Sequence, residues 1–150
     1  MLKGIDHRLT ADVLHALRAM GHGDLLVVAA TNFPADSVAR ATVLGRLLRM
    51  DNLSSAQAID AILSVLPLDT FVDDFAGRME IVGEPATVPP VQMEVQAALD
   101  RADGREARMV PIERFAFYDK ARAAYAVIQT GERRFYGCFA LRKGVIPPDA

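Results

Sequence analysis

The sequence predicts an α/β fold, in which helices cover a sheet. The stretch 25–30, LLVVAA, is a continuous apolar run that is too short for a helix and typical of a strand buried on both faces of a parallel sheet. Segments with helical spacing of apolar residues alternate with further short strand-like segments, which is typical of an α/β protein. The chain has 150 residues, a length that buries about two thirds of its surface in a single core, so we expect one domain over residues 1–150.

One helix is expected before the apolar strand. Thr10 is its predicted N-cap, and the apolar stripe of the helix continues to Met20. Gly21 is predicted to end this helix in the left-handed conformation. After the apolar strand, the segment 38–50 has a pattern that is compatible with either a strand or a helix.

The rest of the chain is expected to continue the alternation of helices and strands. Ser54 and Gln57 predict a capping box at the start of one helix, and the pair Pro89 and Pro90 begins another, which Gly104 ends. A further helix is predicted over the alanine-rich stretch Phe115–Gln129. The predicted strands are Arg78–Val82, Arg108–Ile112 and Phe135–Leu141.

Composition excludes several classes of function. The 17 basic and 19 acidic residues give a net charge of -2 without a basic stripe, so we expect no nucleic-acid partner. The longest apolar runs are far shorter than the about 20 residues that span a bilayer, and the N-terminus lacks a signal-peptide pattern, so we expect no membrane partner and a cytoplasmic location. The sequence has one cysteine, no Cys/His cluster at zinc spacing and no phosphate-binding glycine motif, which predicts neither a metal nor a nucleotide cofactor.

His22 is the first candidate for chemistry. It lies between two glycines in MGHGD, immediately before the apolar strand. Imidazole titrates near neutral pH and suits proton transfer, and flanking glycines leave room for a ligand. A glycine after a helix is equally explained by capping, so a histidine without a catalytic role stays possible.

Arg114 and Tyr118 form a second candidate pair in the segment IERFAFYDKARAAY. They are one helical turn apart, so both side chains can point toward the same ligand. The alternative is that Arg114 pairs with an acid and Tyr118 is a half-exposed aromatic. Cys138, in FYGCFAL, is interpreted as a buried inert thiol, and basic residues such as Arg134 and Lys143 are expected to be solvated.

Six ordered segments resemble the RbsD/FucU family, the D-ribose pyranases and L-fucose mutarotases: MLKGI, MGHGD, NFPADS, ERFAFYDKA, TGERRFYG and LRKGV. The resemblance covers nearly the whole chain and is closer to the fucose mutarotase branch. It implies an RbsD-like three-layer α/β/α sandwich with a mostly parallel or mixed sheet, no cofactor, and self-association as a ring pentamer or decamer. It also implies an isomerase that interconverts the anomers, or the ring forms, of L-fucose or a related monosaccharide.

The resemblance also assigns roles to residues of the chain. His22 and Tyr118 are expected to be catalytic, and Asp24 is expected to support the site by orienting backbone amides or His22. The residues expected to contact the sugar are Asn32, Arg114, Tyr136, Gly137 and Cys138.

Three positions depart from the family pattern. The family has an aspartate at the position of Ala30, a histidine at that of Asn32 and an asparagine at that of Cys138. An aspartate that binds a sugar hydroxyl contributes about 1.5–3 kcal/mol, so its loss predicts weaker binding or a different preference among hydroxyl patterns. A non-catalytic monosaccharide-binding protein associated with sugar uptake therefore stays open as an alternative to a mutarotase. The high apolar content, which suggests buried subunit faces, leaves open a purely structural ring-forming protein.

Overall fold

The computed structural model describes residues 1–150 and contains five helices and six strands. The helices are α1 (Ala11–Ala19), α2 (Ala35–Ala39), α3 (Ser55–Leu63), α4 (Pro90–Asp103) and α5 (Arg114–Arg122). The strands are β1 (Leu25–Ala29), β2 (Leu48–Met50), β3 (Ala76–Met79), β4 (Val110–Ile112), β5 (Ala126–Thr130) and β6 (Phe139–Arg142). No helix has both the length and the apolar character needed to cross a bilayer.

The strands form one mixed sheet in the order β2-β5-β1-β6-β3-β4. β2, β5 and β1 pair in parallel, and so do β3 and β4, whereas β6 is antiparallel to both of its neighbours, β1 and β3. The predicted α/β class is therefore confirmed, with the mixed type of sheet. We call the edge at which β1, β3, β4 and β5 end the carboxyl edge, and the opposite edge, at which β1 begins and β6 ends, the amino edge.

The sheet is the middle layer of three, because successive residues of β1 face different helices. Leu26 and Val28 pack in a core with α1, α3 and α4, while Val27 and Ala29 pack in a second core with α2 and α5. Side chains alternate between the two faces of a strand, so a strand that is covered on both faces needs apolar residues at every position. This burial explains the uninterrupted run in β1 and confirms the predicted strand.

Helix caps that depend on neighbouring residues are where the sequence predicts them. The hydroxyl of Thr10 accepts from the backbone at the start of α1, and Ser54 and Gln57 form both bonds of the capping box of α3. Pro90 is the first residue of α4, and Gly104 ends that helix with a left-handed φ of 71°. These predictions are confirmed.

The end of α1 differs from the prediction. Gly21 is not left-handed; of the two glycines that flank His22, only Gly23 has a positive φ, at 85°. The ammonium of Lys143 takes the place of a glycine cap, since its Nζ donates to the carbonyls of Leu17 at 2.7 Å and Met20 at 2.5 Å. A cation is favoured there because the carbonyls at the end of a helix carry partial negative charge. The expectation that Lys143 is solvated is therefore wrong, because its ammonium binds the end of α1.

The helix predicted over 115–129 is only partly right. It ends at Arg122, and the last part of the predicted segment is strand β5, which lies between β2 and β1 in the sheet. Val127 and Ile128 are fully buried on opposite faces of that strand, and the amide of Tyr125 donates to the carbonyl of Leu25 at 2.8 Å. The alanines before β5 favour a helix locally, but pairing with β1 and β2 decides the outcome.

The other differences between the predicted and the observed elements also have local causes. The segment 38–50 contains the end of α2 and the short strand β2, so both readings apply to parts of it. The strand predicted over 135–141 begins only at Phe139, because residues 135 and 136 form a turn in which Tyr136 has a φ of 62°. The strands predicted over 78–82 and 108–112 exist, with the bounds of β3 and β4.

Candidate active site

His22 lies at the amino edge of the sheet, in the turn between α1 and β1. Its Nε2 is 3.1 Å from Oδ1 of Asp69, and 46% of the His22 side chain is exposed against 5% of the Asp69 side chain. The ring of Phe71 contacts the imidazole edge to face, with 5.7 Å between the ring centres. One nitrogen of the imidazole is therefore held by a buried carboxylate, while the rest of the ring is accessible to a ligand.

Backbone hydrogen bonds fix the turn that carries His22. The amide of Gly23 donates to the carbonyl of Lys143 at 2.8 Å, and the amide of Lys143 donates to the carbonyl of Asp24 at 2.9 Å. Oδ2 of Asp24 accepts from the amide of Gly21 at 2.7 Å. Of the two roles expected for Asp24, the structure shows the bond to a backbone amide; the carboxylate that holds His22 belongs to Asp69.

Asp69 belongs to this candidate site, but the sequence alone does not identify it. Its amide donates to the carbonyl of Arg142 at 3.0 Å, and its Oδ1 accepts from the amide of Phe71 at 3.3 Å, so the loop after α3 is tied to the end of β6. Asp69 is 47 positions from His22 and lies in the segment PLDT, which contains no motif for a catalytic carboxylate. Only the fold brings the two side chains together.

A second cluster of expected residues lies around a pocket of about 350 Å³ at the carboxyl edge. Five of the residues named from the sequence line this pocket, but Gly137, Asp24 and His22 do not. The lining residues are Ala30, Asn32, Phe33, Met79, Arg114, Tyr118, Arg134, Phe135, Tyr136 and Cys138.

Arg114 and Tyr118 point toward each other at the start of α5. Nε of Arg114 donates to the hydroxyl of Tyr118 at 3.1 Å, and the guanidinium lies 5.6 Å from the ring centre of Phe115 and 5.5 Å from that of Tyr118. Tyr118 also contacts the ring of Phe33 edge to face. The hydrogen bond to Tyr118 raises the pKa of Arg114, so this side chain remains a cation. Its one side-chain hydrogen bond is with a phenol, which contradicts the alternative that it pairs with an acid.

The floor of the pocket is apolar. Cys138 is buried, its Sγ accepts from the amide of Ala30 at 3.4 Å, and burial raises the pKa of its thiol to about 12. The predicted burial of the Cys138 thiol is therefore confirmed. Gly137 lies behind the pocket, where a Cβ would overlap the side chain of Glu132 and where its carbonyl accepts from Ser55 at 2.8 Å.

The two clusters lie at opposite ends of β1. Five residues of an extended strand span about 17 Å at about 3.3 Å per residue, and His22 precedes β1 whereas the pocket lies beyond its last residue. The structure therefore does not bring His22 and Tyr118, the expected catalytic pair, together within one chain. No group of three or more His, Cys, Asp and Glu side chains is placed to hold a metal ion.

Comparison with known proteins agrees with the fold and with the motifs. The model of the RbsD / FucU transport protein family matches residues 3–146. Fucose mutarotase of Homo sapiens is 43% identical, over 97% of this chain and 94% of its own length. The crystal structure of protein Atu2016, for which sugar binding has been suggested, is 64% identical with a TM-score of 0.96, over 98% of this chain and 97% of its own.

A fucose mutarotase from Streptococcus pneumoniae, solved in complex with L-fucose, is 31% identical with a TM-score of 0.86, over 97% of this chain and 100% of its own. The family model and these relatives each cover nearly the whole chain. The chain therefore belongs to the RbsD/FucU family.

Proposed function

We propose that this chain is a sugar mutarotase, an isomerase that interconverts the anomers of L-fucose or a closely related monosaccharide. The observation that carries the proposal is the accessible imidazole of His22, held at one nitrogen by the buried carboxylate of Asp69. The proposal is supported by relatives that are named fucose mutarotases and by the similar structure that contains L-fucose.

The bond to Asp69 determines which nitrogen of His22 can act on a substrate. An ionised carboxylate only accepts hydrogen bonds, so Nε2 of His22, 3.1 Å from Oδ1 of Asp69, carries the hydrogen of the neutral ring. The lone pair is then on Nδ1, which is free to accept a proton from a ligand. Asp69 also stabilises the imidazolium that forms after the proton is accepted.

Opening of the sugar ring needs one base and one acid. Nδ1 of His22 takes the proton of the anomeric hydroxyl, the bond between C1 and the ring oxygen breaks, and the freed oxygen takes a proton from the hydroxyl of Tyr118. The Arg114 cation, bonded to that hydroxyl, stabilises the phenolate that is formed. Rotation about the C1–C2 bond and the reverse transfers give the other anomer, with no net change in protons or electrons. Such acid/base groups contribute about 10²–10⁴-fold to a rate.

Because the two clusters lie at opposite edges of the sheet, we place the sugar between two protomers. His22 of one protomer then faces the pocket of the next. Exposed aromatic side chains flank both clusters, Phe71 beside His22 and Phe115 and Phe135 beside the pocket. Exposed apolar groups of this kind favour association. A contact between two different edges generates a ring where the rotation between protomers closes, which is the arrangement that a pentamer or decamer requires.

The lining of the pocket favours a sugar that presents an apolar side to its floor. Arg114, Asn32 and the hydroxyl of Tyr136 are placed to bind hydroxyl groups at the rim. Ala30 and Cys138 offer the floor neither a carboxylate nor an amide. We therefore infer a preference among sugars that differs from that of relatives with an aspartate at the position of Ala30.

Anomer exchange measured by saturation-transfer NMR tests the proposal. We expect the protein to accelerate exchange for at least one aldose in a panel that includes L-fucose, D-ribose and D-galactose. His22→Ala is expected to remove most of the acceleration, whereas His15→Ala, at an exposed position of α1, is the matched control and keeps it. Absence of acceleration across the panel would contradict the proposal.

The alternative is a monosaccharide-binding protein without catalysis. The apolar floor at Ala30 and Cys138 and the similarity to Atu2016, for which sugar binding has been suggested, favour it. Titration calorimetry with the same sugars separates the two functions, since binding without faster anomer exchange supports the alternative.

A further inference from the structure

Tyr136 has an unusual backbone conformation in the pocket. Its φ of 62° makes it the one residue other than glycine with a positive φ, in a region that residues with a Cβ rarely adopt. Such conformations persist only where surrounding interactions hold them, and they concentrate at functional sites. Specific groups must therefore hold Tyr136 in this conformation.

The carbonyl of Tyr136 is held by a buried glutamine of α4. Nε2 of Gln92 donates to this carbonyl at 3.0 Å and to the carbonyl of Met79 at 2.7 Å. The hydroxyl of Tyr136 accepts from the amide of Val82 at 3.3 Å. Both ends of the tyrosine are thus bonded to parts of the chain that lie outside its own turn.

Arg78 fixes the orientation of the Gln92 amide. Its Nη1 lies 3.1 Å from Oε1 of Gln92, and because a guanidinium only donates, the oxygen of the amide must face Arg78 and the nitrogen must face the two carbonyls. The remaining bond of Arg78 goes to the carbonyl of Pro85 at 2.9 Å. Arg78 and Gln92 are both buried, so their polar groups depend on these bonds within the protein.

The composition of this network indicates a role in orientation more than in packing. Arg78 forms no salt bridge, and burial lowers its pKa, so the folded chain buries a cation without a carboxylate partner. Apolar side chains would fill the same space without this desolvation cost. What they could not do is hold the carbonyl of Tyr136 in one place.

We propose that Arg78 and Gln92 are positioning residues that hold Tyr136 in its left-handed conformation, so that its ring and hydroxyl face the pocket. The assignment of that pocket to the sugar rests on the proposed function. The conformation of Tyr136 can be measured without a sugar, so the positioning role and the proposed function can fail separately.

Gln96 provides a matched control on the same helix. It lies one turn after Gln92, and its amide also makes three bonds: Nε2 donates to Asp100 and to the carbonyl of Ala107, and Oε1 accepts from Met109. None of these partners touches Tyr136. Gln96→Met therefore removes an equal number of bonds from α4 and leaves the pocket intact.

The test combines fluorine NMR of protein labelled with 3-fluorotyrosine and anomer exchange. The chain has three tyrosines, and Tyr136→Phe identifies the signal of Tyr136. In Gln92→Met we expect this signal to move and the exchange rate to fall by about 10- to 100-fold, mainly through kcat. Gln96→Met should leave both unchanged. Gln92→Glu keeps the acceptor for Arg78 and loses the donor to Tyr136, so it should act like Gln92→Met. If Gln92→Met does not fold, Gln92→Glu replaces it.

An unmoved Tyr136 signal in the Gln92 variants would overturn the proposal. So would an exchange rate that falls no further in them than in Gln96→Met. If the wild-type protein accelerates no exchange, the proposed function fails by itself; sugar affinity by calorimetry then replaces the rate, and the Tyr136 signal still decides whether Gln92 holds the residue.

Discussion

At the scale of single residues, the proposed chemistry depends on the hydrogen bond between His22 and Asp69. The carboxylate is buried and the imidazole is accessible, so the bond fixes the ring while leaving Nδ1 free. An asparagine at the position of Asp69 has almost the same shape, but it carries no charge and its amide can donate. It would therefore neither stabilise the imidazolium nor impose the same tautomer on the ring.

We predict that Asp69→Asn lowers anomer exchange by about 100-fold, within the range of an acid/base contribution, with little effect on folding. The measurement is saturation-transfer NMR together with a thermal unfolding curve. Asp73→Asn, an exposed position in the same loop, serves as the control and should exchange like the wild type. A wild-type rate in Asp69→Asn would show that the carboxylate has no part in the reaction.

Residues of the candidate site differ in how far the sequence predicts them. His22 could be identified because its flanking glycines and the following strand are local features. Asp69 could not, since its contact with His22 exists only after the loop following α3 is tied to the end of β6. Local sequence predicts a solvated Lys143 for the same reason, because the helix carbonyls that it binds are more than a hundred positions away.

At the scale of elements, the turn between β5 and β6 is held by an ion pair. The buried carboxylate of Glu132 accepts from the guanidinium of Arg134 at 2.9 Å and from its backbone amide at 3.0 Å. Arg134 also bonds Glu94 of α4. The guanidinium holds the pKa of Glu132 below its ordinary value of 4.5. The pair therefore connects the turn that carries Tyr136 to a neighbouring helix.

A lowered pKa in the folded state determines the sign of the pH dependence. Glu132 stabilises the fold fully above its ordinary pKa, and this contribution is lost as the pH falls through the lower folded-state value. We predict that Arg134→Met costs about 1.5–3 kcal/mol at pH 7, as expected for charged hydrogen bonds to a buried group. The difference from the wild type should shrink below about pH 4, because protonation relieves the buried charge in the variant.

Urea unfolding at pH 7 and at about pH 3, below the ordinary pKa of a glutamate, measures this dependence. The neighbouring Arg133 is exposed, and Arg133→Met is the matched control that removes the same charge from the turn. If both variants lose equal stability, or if the cost of Arg134→Met does not change with pH, the ion pair is not what holds the turn.

Elements also show why local patterns predict some of the fold and not the rest. The sequence predicts the caps at Thr10, Ser54 and Gly104 because each depends on residues within one turn of the helix. The helix predicted over 115–129 continued too far because β5 gains its stability from β1 and β2, which lie far away in the sequence. The antiparallel direction of β6 is likewise set by pairing with β1 and β3 and not by its own residues.

At the scale of the whole molecule, the His22 cluster and the pocket lie at opposite edges of one sheet, which links the proposed activity to assembly. A single protomer holds His22, the proposed acid/base residue, at the amino edge and the proposed sugar pocket at the carboxyl edge, with the length of β1 between them. If activity requires both, it requires two protomers. The rigid sheet then sets the distance between successive sites in the assembly, and dissociation removes activity without unfolding the chain.

Mixing two inactive variants tests this arrangement. His22→Ala damages only the amino edge and Tyr118→Phe only the carboxyl edge, so a mixed assembly contains some contacts at which both halves are intact. With equal amounts and random exchange of protomers, about one quarter of the contacts between two different edges are intact, and we predict recovery of up to that fraction of wild-type exchange. Native mass spectrometry verifies that protomers have mixed. His22→Ala mixed with Asp69→Asn, both at the amino edge, should show no recovery, and verified mixing without recovery in the first pair would mean that the sugar is not bound between protomers.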